Sequence, residues 1–540
     1  MTRPHSLVPF LALGSALVLL LSAAPGIAQT APKAPKYGGV VVFAPLSATP
    51  SLSPHEESTI ATVQQASPCF NNLVYYDPAK KQESVDTIIP ELAEKWSWQD
   101  NYRNLVFFLR KDVRWHDGKP FTSQDVKYTF DMVRGAPDAK AKLKVNPRKL
   151  WFENIEGIEA PDPYTVVFRL KKAQPSLLPM LASGYSPVYP AHVPLAEFKN
   201  KCVGTGPFKL KENRPGELVE YVKNTDYFVK GRPYLDGIKF VVIRDRSTQI
   251  AAVQSGQLDV SGSGWNRTNA EAAKAGQPKL VVVEMDNNVN DNVLVNFKRA
   301  PFNDPRVRRA INLALDRKSY LVGPRQGAAT FGGALLPGPA GVWGLPAAEV
   351  AKLPGMGDAA KQKAEAKKLL AEAGYGPNNP LKFTLSTRAL AIYVDTASWM
   401  VDQLQQIGVE ATLEQIETGV WHPKMTRLEY QVALNLTGVG IDDPDAQLFE
   451  NYRCGSQRNF SGYCSEEIDR LMVEQSQTVD RAKRLKLVNE IDRKLQADVA
   501  RPILGWGKQY SVYWPYVKNW LTHENSIYNV SRRQDVWLDK

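Results

Sequence analysis

Beyond its first ~25 residues the chain lacks any apolar run approaching the ~18 to 20 residues that cross a bilayer. That excludes a helical integral membrane protein. Catalytic signatures are missing as well. There is no G-x-S-x-G elbow, no Walker A loop, and no G-x-G-x-x-G opening a helix after a strand. Histidine is scarce, six in all, and those at 55, 116, 192, 422 and 523 are far apart in sequence. His55-Glu56-Glu57 lacks the second His of a zinc H-E-x-x-H site, so no metal and no cofactor is expected. Cysteine is limited to Cys69, Cys202, Cys454 and Cys464 with no C-x-x-C, which leaves a redox or zinc-ribbon reading with little support.

What remains is the composition of a large globular chain. Its 540 residues are 43% apolar and 23% charged, enough for three or four units or one multi-lobed body and too apolar for a disordered chain. Lys and Arg number 67 against 56 Asp and Glu, a formal +11. The densest cluster, Lys361, Lys363, Lys367 and Lys368, sits among alanines at helical spacing and reads as a solvated helix face. No nucleic-acid motif accompanies it, and no nucleic-acid partner is expected.

The N-terminus carries an address. Arg3 supplies a positive region, Leu7 to Leu21 is apolar, and Gly26-Ile27-Ala28 offers a small-x-small cleavage site. Residues 1–28 read as a signal peptide, with the mature chain starting at Gln29 in the periplasm. In that oxidising compartment an even cysteine count favours disulfides over metal ligands. Cys454 and Cys464 flank a short polar segment that a bridge would close. Cys69 with Cys202 is then the remaining pair.

Short apolar alternations alternate with helical patterns, the mark of a mixed α/β protein. Strand-like runs include Val40 to Phe43, Leu105 to Leu109, Thr165 to Leu170, Ile238 to Ile243, Leu280 to Val283, Lys382 to Leu385 and Val432 to Leu436. Thr122 caps a helix over Ser123 to Met132, Pro305 opens one running to Leu315, and Gly374 ends another. Glu466 to about Val499 reads as helix broken near Thr478 to Asp480, while the Pro/Gly-rich stretch Gly323 to Gly357 reads as an irregular surface excursion. Asp442, Asp443 and Asp445 around Pro444 admit two readings: carboxylates for acid/base work, or a turn and N-cap before Ala446 to Phe449.

One segment is far more specific: Leu92-Ala93-Glu94-Lys95-Trp96, then Leu105 through Arg110, Asp112-Val113-Arg114-Trp115-His116-Asp117-Gly118-Lys119-Pro120-Phe121-Thr122 and on to Val126. It resembles the signature of the extracellular solute-binding proteins of the peptide/nickel family, family 5. Gly204-Thr205-Gly206-Pro207-Phe208, Asn224-Thr225-Asp226-Tyr227-Phe228, Gln254-Ser255-Gly256, Asp304-Pro305-Arg306-Val307-Arg308-Arg309-Ala310 and Asp443-Pro444-Asp445 follow in the family's order. The resemblance spans about residues 36 to 540. It implies the two-lobed periplasmic binding protein fold (type II), with lobe I enlarged by an extra subdomain and a hinge of two crossing strands. The crossings would lie near 292–297 and 502–507, making lobe I 29–292 plus 507–540 and lobe II 293–506.

By the same resemblance the protein is a non-enzymatic, monomeric receptor. It would capture a peptide or related solute between its lobes and deliver it to an ABC permease and its ATPase subunits. Dipeptide-binding relatives pair the ligand carboxylate with a lobe II Arg, and Arg388 falls at about that place, the alternative being a surface Arg after a strand. They hold the α-amino group on an Asp shortly before the D-P-D-like turn. That place falls near Gly440 here, with no carboxylate unless a shift brings in Asp442. A buried ammonium without a counter-charge is costly, which raises a ligand without such an amine (an opine, oligosaccharide or organic anion) as the competing expectation. Trp265 and Trp421, in Gly-flanked polar contexts, are candidate ligand platforms or lobe-packing residues, and Asn435 is a further polar candidate. A secreted hydrolase using the Asp442 cluster is the competing reading from another class.

Overall fold

The computed structural model describes residues 34–438, 440–529 and 531–540; the signal-peptide reading lies outside them. Sheets and helices alternate along the chain, as the hydrophobic periodicity requires. The first half builds two four-stranded sheets. In one, Val40–Phe43 runs parallel to Gly237–Val241, which continues antiparallel through Leu218–Lys223 to Phe208–Arg214. The other is an antiparallel sheet in the order Ala93–Gln99, Asn104–Leu109, Thr165–Leu170 and Ile155–Asp162. The helix Ser123–Arg134 packs beside this sheet, closed by a Thr122/Asp125 capping box and by Gly135 in the left-handed region at φ +70°. Leu105, Phe107, Val126, Phe130 and Phe168 interlock in the core between them.

The second half centres on one six-stranded sheet. Its order is Ala329–Thr330, Ile503–Gly507, Val289–Val295, Val432–Gly438, Lys382–Arg388 and Glu410–Ile416. The last three run parallel to one another and the rest pair antiparallel. The helices Pro305–Ala314 and Ala391–Gln405 cover it, burying Val307, Ile311, Ala397 and Met400 against Val293, Leu385 and Leu434.

Two short passages join the halves. Val281–Met285 pairs with Gln509–Tyr513, and Val260 bridges this ribbon to Phe43 of the first sheet. Residues 286–288 lead out of the ribbon into Val289–Val295, and Lys508 leads back from Ile503–Gly507. The stretches 292–297 and 502–507, where the crossings were expected, thus lie largely inside strands of the six-stranded sheet. Beyond Lys508 the chain returns to the first half, where Val517, Val536 and Leu538 join its core.

One expectation is corrected outright. Gly323 to Gly357 has little regular structure, as read, but it is no surface excursion. Ala334, Leu335 and Trp343 are buried against Leu448, Met472 and Ile491, and the backbone of Ala334 donates to Asp492 at 2.9 Å. The breakers stop helix and strand formation without making the segment polar. The lysine cluster lies mainly on the solvated side of Ala359–Glu372. Both disulfides form, Cys69–Cys202 and Cys454–Cys464.

Candidate functional site

A cleft lies where the two passages meet, with a free volume of about 90 Å³. From the first half come Ser58, Thr59 and Ile60 at the start of the helix Ile60–Ala66, and Ser263-Gly264-Trp265 ahead of the helix Arg267–Gly276. Gly264 sits at φ +79°, a backbone conformation that strains any other residue, and a Cβ there would stand 2.7 Å from Leu46 Cδ1 and push it away. Asn287, Lys508 and Gln509 supply the floor at the passages. From the second half come Arg388, Tyr393, His422, Asn435 and Arg458.

Arg388 ends its strand with the guanidinium in the cleft wall, only 4% exposed. Its Nη1 donates to the Tyr393 hydroxyl at 2.9 Å and its Nη2 to Thr418 Oγ1 at 2.7 Å. Both acceptors are neutral, and among the described residues no carboxylate lies within ion-pairing distance of Arg388. Nearby, Asp291 on the central strand is fully buried and is met by Arg325 Nε and the Tyr320 hydroxyl, each at 2.9 Å. Burial raises the Asp291 carboxyl and Arg325 opposes it. That pair is balanced; Arg388 is not.

Arg458 reaches the same cleft from the loop closed by Cys454–Cys464. Its Nη1 lies 3.0 Å from Glu450, whose other oxygen is 3.7 Å from Arg148. Both ring nitrogens of His422 are buried without a partner among the described residues. Burial, then the positive charges of Arg388, Arg458 and Arg148, hold this imidazole well below its ordinary value, so it is neutral.

Three of the five sequence candidates meet here. Arg388 is an anchor in the wall. Trp265 borders the cleft while its Nε1 donates to Gln249 at 3.1 Å, and Asn435 donates to Thr437 at 3.0 Å beside it. The structure does not bring the other two to the cleft. Trp421 is fully buried with Met425, Tyr430 and Phe460, because it faces inward on the helix Thr418–Thr426 while His422, one residue on, faces the cleft. Asp442 lines a separate cavity of about 690 Å³ with Lys80, Lys81, Trp343 and Arg484. Asp443 caps the helix Pro444–Asn451, the structural one of the two readings of that turn.

Gly440 explains why no carboxylate occupies the place near it. A Cβ there would stand 2.5 Å from Ser183 Oγ and about 3 Å from both Trp151 and Tyr185. Sequence reasoning missed Tyr393, His422, Arg458 and Tyr528, which come from scattered segments. Only Arg458 had a local signal, an arginine inside a short cysteine-bounded loop. Among the described residues no three His, Cys, Asp or Glu side chains gather as a metal site.

Comparison with known proteins places this architecture. Residues 87–459 match the model of the bacterial extracellular solute-binding proteins, family 5. The chain belongs to that family. It is 25% identical to the oligopeptide-binding protein AppA of Bacillus subtilis over 573 aligned residues, covering 100% of each. It is also 25% identical to the dipeptide-binding protein of Escherichia coli, covering 80% of this chain and 83% of that one. The structure of AppA with a nonapeptide superposes with a TM-score of 0.81 at 23% identity, over 94% of this chain and 100% of that one. That of AgaA from A. tumefacien R10 with agropinic acid gives 0.80 at 23% identity, over 93% and 99%. This family 5 chain is therefore a solute-binding protein with the two-lobed fold.

Proposed function

We propose that this family 5 protein is a periplasmic, non-enzymatic receptor whose ligand is a small organic solute held by a carboxylate on Arg388. The lobes of this reading meet at the passages 286–288 and Lys508, and closure of one lobe on the other about those passages traps the solute. The ligand then passes to the ABC permease. Residues 1–28 direct export and are removed from the exported chain.

The observation that carries the proposal is the state of Arg388: buried in the cleft wall, held in orientation by Tyr393 and Thr418, and without an ionic partner among the described residues. A planar fork of this kind suits a carboxylate bidentately. The two hydroxyls fix the rotamer before the ligand arrives, which lowers the ordering cost of binding. Free peptides are the less favoured ligands, because the place near Gly440 is occupied by Ser183, Trp151 and Tyr185 and offers an α-ammonium no counter-charge. Asp443 and Asp445 are spent on a helix cap and on Arg484, which leaves Asp442 without a second free carboxylate in that turn and argues against paired acid/base hydrolysis there.

A thermal-shift screen of the signal-free protein with di- and oligopeptides, opine-type conjugates, small carboxylates and oligosaccharides tests this. A ligand at 100 times its Kd adds about 2.7 kcal/mol of stability. The expected result is a shift with carboxylates lacking a free α-amine, lost in Arg388→Ala. A shift with peptides that survives Arg388→Ala would overturn it, and so would chemical turnover of the bound compound.

A further inference from the structure

Four buried guanidinium groups cluster behind and beside the cleft, those of Arg148, Arg388, Arg458 and Arg501. Three of them, Arg148, Arg388 and Arg458, act electrostatically on the neutral His422. Within ion-pairing distance a single carboxylate, Glu450, reaches any of the four among the described residues. Even that contact is incomplete. Neither Glu450 oxygen makes a hydrogen bond, although each faces a guanidinium at 3.0 or 3.7 Å. Glu57, which also feels Arg148, has a carboxyl pushed up to about 7, chiefly by burial, and so is a poor counter-charge near neutrality.

Unspent donors mark the same cluster. Nε of Arg458, and Nε and Nη2 of both Arg148 and Arg501, find no hydrogen-bond acceptor among the described residues, and Nη1 of Arg458 has only its contact with Glu450. Buried charged donors are normally satisfied, and an unpaired one costs more than a neutral group. Other buried arginines are answered differently: Arg325 is spent on Asp291 and Arg484 on Asp443 and Asp445, while Arg317 and Arg533 turn to backbone carbonyls. What sets the cluster apart is that four guanidiniums gather together and two of them, Arg388 and Arg458, line the cleft.

We infer that the ligand carries two acidic groups, one held by Arg388 with Tyr393 and Thr418 and the other by Arg458, making the cleft a site for a small dicarboxylate. The inference rests on the carboxylate reading of Arg388 and adds a second anchor to it. Arg148 and Arg501 support that anchor from behind, keeping the potential positive where Arg458 meets the ligand.

Calorimetric titration of the oxidised, signal-free protein tests this with linear diacids from succinate to suberate, N-acylated glutamate, and the mono-amide of each. The expected result is that at least one diacid binds and its mono-amide binds ten- to a hundred-fold more weakly. Arg458→Gln should remove that difference and Arg388→Gln should remove binding of both. Arg458→Lys, which keeps the charge without the fork, should fall between, and circular dichroism checks that each variant is folded. Equal binding of diacids and mono-amides would overturn the second anchor while leaving Arg388 as a single carboxylate site. Unchanged diacid preference in folded Arg458→Gln would overturn it too. Failure of every acid, with binding of a neutral sugar or a cationic peptide instead, would overturn both readings together.

Discussion

Two buried charge clusters in this chain use the same side chains to opposite ends. In the first, Arg484 donates to Asp443 at 2.7 and 3.0 Å, to Asp445 at 3.2 Å and to Gln475 at 3.0 Å. Ser176 and Ser476 complete Asp445 at 2.5 Å each. One cation meets two anions, and every arm of the guanidinium is used. In the second, Arg388 and Arg458 belong to a group of four guanidiniums with one carboxylate within reach. The first cluster is finished by folding; the second is left with charge to spare. Burial alone does not distinguish them. The ratio of cation to anion, and the number of unspent donors, does.

Breaking the finished cluster should have the largest effect. Arg484→Ala leaves Asp443 and Asp445 buried without a cation, and removing one partner of a buried pair costs about 3–5 kcal/mol. Denaturant unfolding should show that loss. Next in size is the loop that carries Arg458. Its disulfide closes a short span, Cys454 to Cys464, worth roughly 2–3 kcal/mol in the chain-entropy model. The double substitution Cys454→Ser with Cys464→Ser should lower stability by about that amount and weaken ligand binding as well. Reduction of the wild type also opens Cys69–Cys202, so its loss of stability should exceed that of the double substitution.

The smallest effect sharpens the contrast from the acidic side. Burial pushes the Asp442 carboxyl up to about 7, with Asn525 opposing it by a hydrogen bond and Asp443 adding repulsion. A carboxyl raised above its unfolded value keeps a proton in the folded state that the unfolded chain has already lost. Its contribution therefore falls as pH rises from about 4 to 7 and levels off above that. Asp442→Asn should flatten this fall, so its Tm gain over wild type should grow between pH 4 and pH 7. An equal gain at both pH values would mean that Asp442 is not titrating in that window.

Much of the fold was legible because it rests on local rules. The strand Val40–Phe43, the Thr122-capped helix and the break near residues 478–480 follow from period, cap and turn residues alone. The site was legible only in part. Arg388, Trp265 and Asn435 reach the cleft, while Trp421 does not, since the Gly-flanked tryptophan offered as a platform or a packing residue lies on a helix and packs inward with Met425. Asp442 failed for a topological reason: the turn ahead of Pro444 faces a different cavity. Arg458, His422 and Tyr528 are brought together by strand order and by the C-terminal return, neither of which leaves a mark on any short stretch of sequence.

The crowding at Gly440 bears on how this receptor can change. Its neighbours Ser183, Trp151 and Tyr185 come from the first half of the chain, whereas Gly440 follows the strand Val432–Gly438 of the second. An aspartate introduced at 440 alone would have nowhere to put its carboxylate. Acquiring an ammonium site there needs smaller residues at positions remote in sequence at the same time, so no single step leads to it. At this position the chain excludes a carboxylate by shape rather than by charge.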